Sequence, residues 1–292
     1  MARIAIIGFG EVGGIFARDL RAAGVAEIAA FDIAPAARAR AEAFGATCHA
    51  SPVAATKDAD LVIVAVTAGS ALAAVRGLAG GLAHGPLVLD VNSVSPATKQ
   101  EAGAAVSDGG GRYVEAAVMT SVPPHGLASP MLLGGAHTAA FMALGEPWGM
   151  KLTAYSERIG AASSVKMCRS VMIKGLEALT TECLLTARHY GVERDVLASL
   201  GDTLPHPDWS ELARYVIGRA LLHGRRRAEE MREVAHTVAD AGLEPMLSDA
   251  IARRQDWAAD RGVAMGKAGR GAGDLATLLD AIAAAGPVEG GA

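Results

Sequence analysis

The sequence predicts an α/β protein: a doubly wound parallel sheet in the N-terminal half, followed by an all-helical C-terminal half. Three observations carry that prediction. Short apolar runs alternate with helical patterns up to about residue 160. Those runs are apolar throughout rather than at every second residue, as in strands buried on both faces. Beyond residue 160 strand-like runs vanish, and Gly or Pro punctuates a series of helical patterns.

The strands are read in order as "RIAIIG" (3–8), "EIAAFD" (27–32), "LVIVAV" (61–66) and "LVLDV" (87–91). "RYVEAAV" (112–118) and "PMLLGG" (130–135) extend the sheet. Between the early strands, "VGGIFARDLRAAG", "PAARARAEAFG" and "SALAAVRGLAGG" have helical patterns. In the second half, helices are expected over 161–190, 193–200, 208–222, 224–241 and 245–260, separated at Gly191, Gly201, "LPHPD" (204–208) and Gly242. This gives one domain over 1–160 and a helical domain over 161–292, the first long helix linking them. The Gly- and Ala-rich tail from Gly266, with the helical pattern "DLATLLDAIAAA", is expected to be partly disordered or docked on a partner subunit. No internal repeat is visible.

Composition narrows the function classes. A formal charge of −4 argues against a general nucleic-acid or membrane-surface binder. No run of 18 apolar residues suggests a membrane span. Gly8 and Gly10 interrupt the first apolar run too early for a signal peptide, which favours a buried strand. Cys48, Cys168 and Cys183 lack metal-like spacing and suit a reducing, cytoplasmic setting. The histidines do not cluster with cysteines or carboxylates, so no metal site is expected.

Gly8, Gly10 and Gly13 form G-x-G-x-x-G directly after a strand and at the mouth of a helix, flanking Glu11 and Val12. The first glycine permits the tight turn, the second admits a pyrophosphate to the backbone, and the third lets helix and strand pack closely. Asp32 ends the next strand, about 20 residues beyond Gly13, where a carboxylate would bond a ribose 2′-hydroxyl. This is the fingerprint of a Rossmann dinucleotide site. A carboxylate there repels a 2′-phosphate, so NAD is preferred over NADP, although Arg38 and Arg40 follow and could in principle embrace that phosphate.

Four ordered motifs then resemble the β-hydroxyacid dehydrogenase family, which includes 3-hydroxyisobutyrate and 6-phosphogluconate dehydrogenases. They are "GFGEVGGIFARDL", "DVNSVSP" (90–96), "EAAVMTSVPPHGLASPMLLGG" (115–135) and "GAASSVKMCRS" (160–170). The second is similar to D-x-S-T-x-x-P, which in the family lies beside nicotinamide and substrate. This resemblance implies contacts from Asn92 and Ser93, and from Thr67 in the loop that covers the cofactor ribose. The third motif stands at a substrate loop, where Met119, Thr120 and Ser121 replace the usual S-G-G. The fourth is similar to G-x-G-x-x-x-K-x-x-N-N and implies that Lys166 is the catalytic acid/base. Arg169 and Ser170 replace the asparagine pair, so Ser170 stands where an asparagine helps to place the substrate hydroxyl. The resemblance also implies a homodimer or homotetramer formed through the helical domain; the site is expected between the domains, where clefts are favoured.

These cations invite a physical reading as well. At 100° per residue, Lys166, Arg169 and Ser170 fall on one side of a helix, with Lys174 at its margin. Arg169 would disfavour protonated Lys166 and could grip a substrate carboxylate in a bidentate manner. Lys174, roughly 12 Å along the axis from Lys166, would meet the far end of a longer anionic substrate or a partner chain. Cys168 and the methionines Met167 and Met172 are expected to pack inward. His125 is a lone loop histidine. The run "HGRRRAEEMREV" (223–234) reads as a solvated or inter-subunit face, and Ser95 before Pro96 has the pattern of a helix N-cap. The expected activity is NAD(P)-dependent hydride transfer to or from a small hydroxy acid or its carbonyl. Reduction of an imine, or dinucleotide sensing without catalysis, are the alternatives.

Overall fold

The computed structural model describes residues 2–204, 206–270 and 273–285. In order, the first half contains β1 (Arg3–Ile7), α1 (Glu11–Ala22), β2 (Glu27–Phe31), α2 (Pro35–Phe44), β3 (Thr47–Cys48), α3 (Pro52–Thr56) and β4 (Leu61–Val64). It continues with α4 (Ala71–Arg76), β5 (Leu87–Asp90), α5 (Pro96–Asp108), β6 (Arg112–Val118), α6 (Val122–His125), β7 (Met131–Gly134), α7 (Thr138–Gly145) and β8 (Leu152–Ser156). The eight strands form one sheet in the order β3-β2-β1-β4-β5-β6-β7-β8. It is parallel from β3 through β6, and β7 runs antiparallel to β6. The first six strands follow the 3-2-1-4-5-6 order, in which the direction of winding reverses between β1 and β4.

Both faces of the central strands β1, β4 and β5 are covered, which is why their runs are almost wholly apolar. Ile4, Ile6, Ile63 and Leu89 enter one core with Phe16 and Leu20 of α1. Their neighbours Ala5, Ile7, Val62, Val64 and Val88 enter the other, as the alternation of side chains along a strand requires. Local chemistry starts the helices. Pro35 and Pro96 occupy first-turn positions, and the Ser51 and Ser95 hydroxyls accept from Ala54 and Thr98 N–H. Strands β3 and β8 escaped the sequence reading. β3 has two residues, and "LTAYS" of β8 is a partly exposed edge strand without an apolar run.

The second half contains α8 (Ala161–His189), α9 (Glu193–Thr203), α10 (Trp209–Asp240), α11 (Met246–Arg270) and α12 (Leu275–Ala284). The chain divides into two compact units, one up to Cys168 and the other from Arg169. Within the second unit, two expectations are corrected. Helix α10 runs unbroken through Gly224, where two helices were expected. A Cβ on Gly224 would lie 2.3 Å from the Gln255 carbonyl oxygen, and one on Gly262 would lie 2.2 Å from that of Leu221. These glycines let α10 and α11 approach closely; Gly224 does not end a helix. Gly224→Val should therefore lower stability by about 1–3 kcal/mol through overpacking, read as a lower denaturation midpoint. An unchanged midpoint would show that the helix contact yields freely.

The other correction concerns the tail. Leu275, Leu278, Leu279 and Ile282 of α12 are buried with Leu184, Ile217 and Leu221, so this segment docks on its own unit. The expectation for residues 286–292 lies outside the described residues. Arg188 holds Asp280 and Glu193 at 2.5 Å, fastening α12 and α9 to the end of α8. Both carboxyls lie below their ordinary range, Glu193 chiefly through its own backbone N–H and then through Arg188, and Asp280 chiefly through Arg188.

Candidate active site

The glycine turn separates into three different requirements. Gly8 has φ +93°, and a Cβ there would lie 2.3 Å from the Ala65 carbonyl oxygen. A Cβ on Gly13 would lie 2.0 Å from the Gly8 carbonyl oxygen. Gly10 is different, because a Cβ there would meet nothing within 4 Å. The protein itself gives no reason for Gly10 to lack a side chain. It precedes α1, and no side chain caps it. An uncapped helix start behind an open backbone fits a pyrophosphate, whose oxygens would take those N–H groups. Glu11 is exposed and Val12 half-buried in the first turn of α1.

Asp32 completes this cradle from the end of β2. Its Oδ2 accepts from Phe9 N–H at 2.7 Å and its Oδ1 from Ala34 N–H at 2.8 Å. The carboxylate is thus held against the glycine turn. Arg38 donates to the carbonyls of Asp32 and Ile33, and Arg40 to that of Phe9. Both arginines therefore brace the same turn. The paired substitutions make a clean contrast. Gly13→Ala should destabilise the fold by about 1–3 kcal/mol. Gly10→Val should leave thermal stability nearly unchanged while abolishing dinucleotide binding by calorimetry. Retained binding in Gly10→Val would remove the cradle assignment.

Further along the carboxyl ends of the strands, Lys166 Nζ donates to Ser93 Oγ at 2.5 Å. The two residues lie 73 apart in sequence. Ser93 is held there by a network beneath it that the sequence reading missed. Asp90, fully buried at the end of β5, pairs with Lys99 of α5 at 3.0 Å, both side chains being 1% exposed. Its Oδ1 also accepts from the backbone and side-chain N–H groups of Asn92, and its Oδ2 accepts from Tyr113 Oη. The Lys99 amine donates as well to the Asp90 carbonyl. Burial, and then the adjacent Asp90 charge, push the Tyr113 phenol well above its usual range.

Asn92 carries the network outward. Its Oδ1 accepts from Val66 N–H at 2.7 Å, tying the loop after β4 to the segment after β5. Both ends of its amide are thus engaged by the protein, so this side chain positions its neighbours. Thr67, next in that loop, is exposed, with its hydroxyl directed to Ser70 at 3.4 Å.

Comparison with known proteins gives this arrangement its relatives. The family described as the NAD binding domain of 6-phosphogluconate dehydrogenase matches residues 3–145. A domain of unknown function, DUF1932, matches residues 187–258. A conserved hypothetical protein from Sinorhizobium meliloti 1021 is 35% identical, with 97% of this chain and 96% of that chain covered and a TM-score of 0.73. The conserved protein MTH1747, of unknown function and described as similar in structure to 3-hydroxyacid dehydrogenases, is 33% identical over 88% of this chain and 97% of its own, with a TM-score of 0.69. This chain belongs to the β-hydroxyacid dehydrogenase family. Two more distant structures share the fold. The 3-hydroxyisobutyrate dehydrogenase of Mycobacterium tuberculosis is 19% identical over 97% of this chain and all of its own, with a TM-score of 0.71. An imine reductase of Streptomyces aurantiacus is 18% identical over 95% and 99%, with a TM-score of 0.55.

As a β-hydroxyacid dehydrogenase relative, the chain departs from the motif at the positions after Lys166. Arg169 is exposed. Ser170 is buried, and its hydroxyl accepts from Lys174 Nζ at 3.0 Å. Lys174 is itself buried and paired with Glu230 at 3.0 Å, so its charge already has a carboxylate partner in the second unit. The three cations of this stretch have separate fates: one amine on Ser93, one guanidinium in solvent, one amine in a buried ion pair. Burial also corrects two smaller expectations. Met167 is in the core as expected, but Met172 is 74% exposed and Cys168 is exposed.

After β6, Thr120, Ser121 and His125, the last of these at the end of α6, are all exposed. Asp19 of α1 anchors that segment by accepting from Leu127 N–H at 3.1 Å. The arginine run divides likewise. Arg225 and Arg232 meet Asp256 on the surface, whereas Arg227 is buried on Glu177 at 2.7 Å. Burial draws the Arg227 guanidinium below its ordinary range. Among the described residues no group of three His, Cys, Asp or Glu side chains could hold a metal ion, and no helix is long and apolar enough to cross a membrane.

Proposed function

We propose that this protein is an NAD(P)-dependent oxidoreductase that interconverts a small hydroxy acid and its carbonyl counterpart, with Lys166 as the general acid/base. The observation that carries this reading is the Lys166–Ser93 hydrogen bond, which puts a primary amine at the carboxyl ends of the strands. Open α/β sheets bind their ligands there. Gly8, Gly10, Gly13 and Asp32 would hold the dinucleotide, whose nicotinamide supplies or accepts hydride when bound. In alcohol oxidation the Lys166 amine takes the hydroxyl proton as hydride leaves the carbinol carbon; in reduction the ammonium returns it. Ser93, at 2.5 Å from that amine, would share the proton's path or orient the hydroxyl. Arg169, exposed on the following turn, supplies a guanidinium suited to a substrate carboxylate.

Asp32 favours NAD, since its fixed carboxylate would stand against a 2′-phosphate. Calorimetric titration with NADH and NADPH tests this directly. Tighter NADH binding that is weakened in Asp32→Ala supports the reading; tighter NADPH binding would transfer attention to Arg38 and Arg40. A panel of hydroxy acids, their oxo acids and cyclic imines then tests the reaction class. Turnover confined to the imines would replace the hydroxy-acid assignment.

A further inference from the structure

We infer that Glu115 is a positioning residue for Lys166: its buried carboxylate fastens the start of α8 to the central sheet and so sets where the amine lies. The inference rests on the reading of Lys166 given above. Glu115 sits in the middle of β6 and is fully buried. Its Oε1 accepts from Gly160 N–H at 2.9 Å and from Ala162 N–H at 3.0 Å. These are donors at a helix start, which has no intrahelical partners for them, and a negative charge there is favoured by the helix dipole. Gly134, opposite Glu115 in the β6–β7 register, makes room for this contact. A Cβ at Gly134 would lie 2.2 Å from Oε1.

Lys166 follows less than two turns after those donors, so a shift of the helix start moves its amine directly. The receiving side is fixed by a neighbouring carboxylate. Asp90 pairs with Glu115 in the β5–β6 register and holds Asn92, next to Ser93. Two adjacent buried carboxylates therefore hold the two sides of the Lys166–Ser93 contact, one through a helix start and one through a loop. Among the described residues, Glu115 Oε2 has no hydrogen-bond partner. Stability alone would be served as well by an apolar side chain and a local cap, since a buried carboxylate is costly. What the carboxylate adds is reach: one oxygen that holds two N–H groups across the sheet.

The test compares Glu115→Asp, which retracts the carboxylate by one methylene, with Glu115→Gln, which keeps the accepting oxygen. Both are made in the full chain labelled with ¹³C-lysine, in which only six lysines contribute signals. Lys166→Arg assigns the Lys166 ε-carbon resonance, and exposed Lys57 and Lys151 mark the solvent position. In Glu115→Asp that resonance should move toward the solvent position, and kcat should fall about 10- to 100-fold, as displacements near 1 Å can cause. NADH affinity should stay within about threefold of wild type, and Glu115→Gln should restore both signals. An unmoved Lys166 resonance and unchanged kcat in Glu115→Asp, with only the melting temperature lowered, would overturn the inference. Should Glu115→Asp fail to fold, Gly134→Ala displaces the same oxygen from the opposite side and is judged by the same readouts. If Lys166→Ala proves fully active, the catalytic reading falls, while the resonance still decides whether Glu115 positions the amine.

Discussion

Replacing Lys166 by alanine should reduce kcat by about 10²–10⁴-fold, the range a positioned acid/base contributes, while NADH binding stays within a few-fold of wild type. The separation follows from where the two functions sit. In the proposed reading, dinucleotide binding rests on the β1–α1 turn and Asp32, none of which touches Lys166 among the described contacts. The amine instead bonds Ser93 after β5. On that reading, removing it takes away the proposed proton acceptor and leaves the proposed cradle whole. Turnover with the best substrate of the hydroxy-acid panel, followed as NADH production, measures the first effect, and calorimetry the second. Full turnover in Lys166→Ala would end its assignment as acid/base. Equal loss of NADH binding would show instead that the lysine is part of the cofactor site.

Lys99→Met should be strongly damaging to the first unit, costing about 3–5 kcal/mol. Lys99 and Asp90 are each 1% exposed and face one another at 3.0 Å. Methionine fills much of the same volume but leaves Asp90 as a buried charge held, among the described residues, by Asn92 and Tyr113. Breaking one partner out of a buried pair costs more than the pair is worth, because the remaining charge is stranded. A drop in melting temperature on the order of 10 °C is expected, and a drop of a degree or less would mean that water reaches Asp90. The double variant Lys99→Met with Asp90→Leu should recover part of the loss, since the stranded charge is then gone.

The same network predicts a limit at high pH. The Tyr113 phenol is raised in the folded chain, chiefly by burial. The folded state therefore holds its proton where the unfolded chain releases it. That stabilisation is complete below the ordinary tyrosine range near pH 10 and is lost as pH rises toward the folded value. Tyr113→Phe should flatten the alkaline limb of a stability profile; an unaltered limb would place its origin elsewhere.

How much of this was legible in the sequence depends on how far apart the interacting groups lie. The apolar runs marked six strands because a strand buried on both faces carries its environment in its own composition. The glycine turn was legible for a similar reason: its requirements fall within a few residues of one another. The helix break expected at residue 223, beside Gly224, did not form, since a helix-interrupting glycine and a helix-packing glycine look the same locally. Only the Gln255 carbonyl, 2.3 Å from the Cβ it cannot have, tells them apart. Asp90, Lys99, Tyr113 and Glu115 were missed as a group. One signal was available, for "RYVEAAV" places a glutamate inside a run read as extending the sheet. A charge in such a place calls for a partner, although nothing local says that the partners are N–H groups 45 and 47 residues away.

The sequence alone therefore determined the class of fold and the glycine turn, because each is written in short-range pattern, and its motif order singled out Lys166 as the candidate acid/base. Tertiary structure decided what surrounds them. It placed Ser93 at Lys166, turned Asn92 into a brace between two loops, and directed Lys174 to Glu230. Those outcomes depend on which charges become buried together, and desolvation acts on groups that only folding brings into contact.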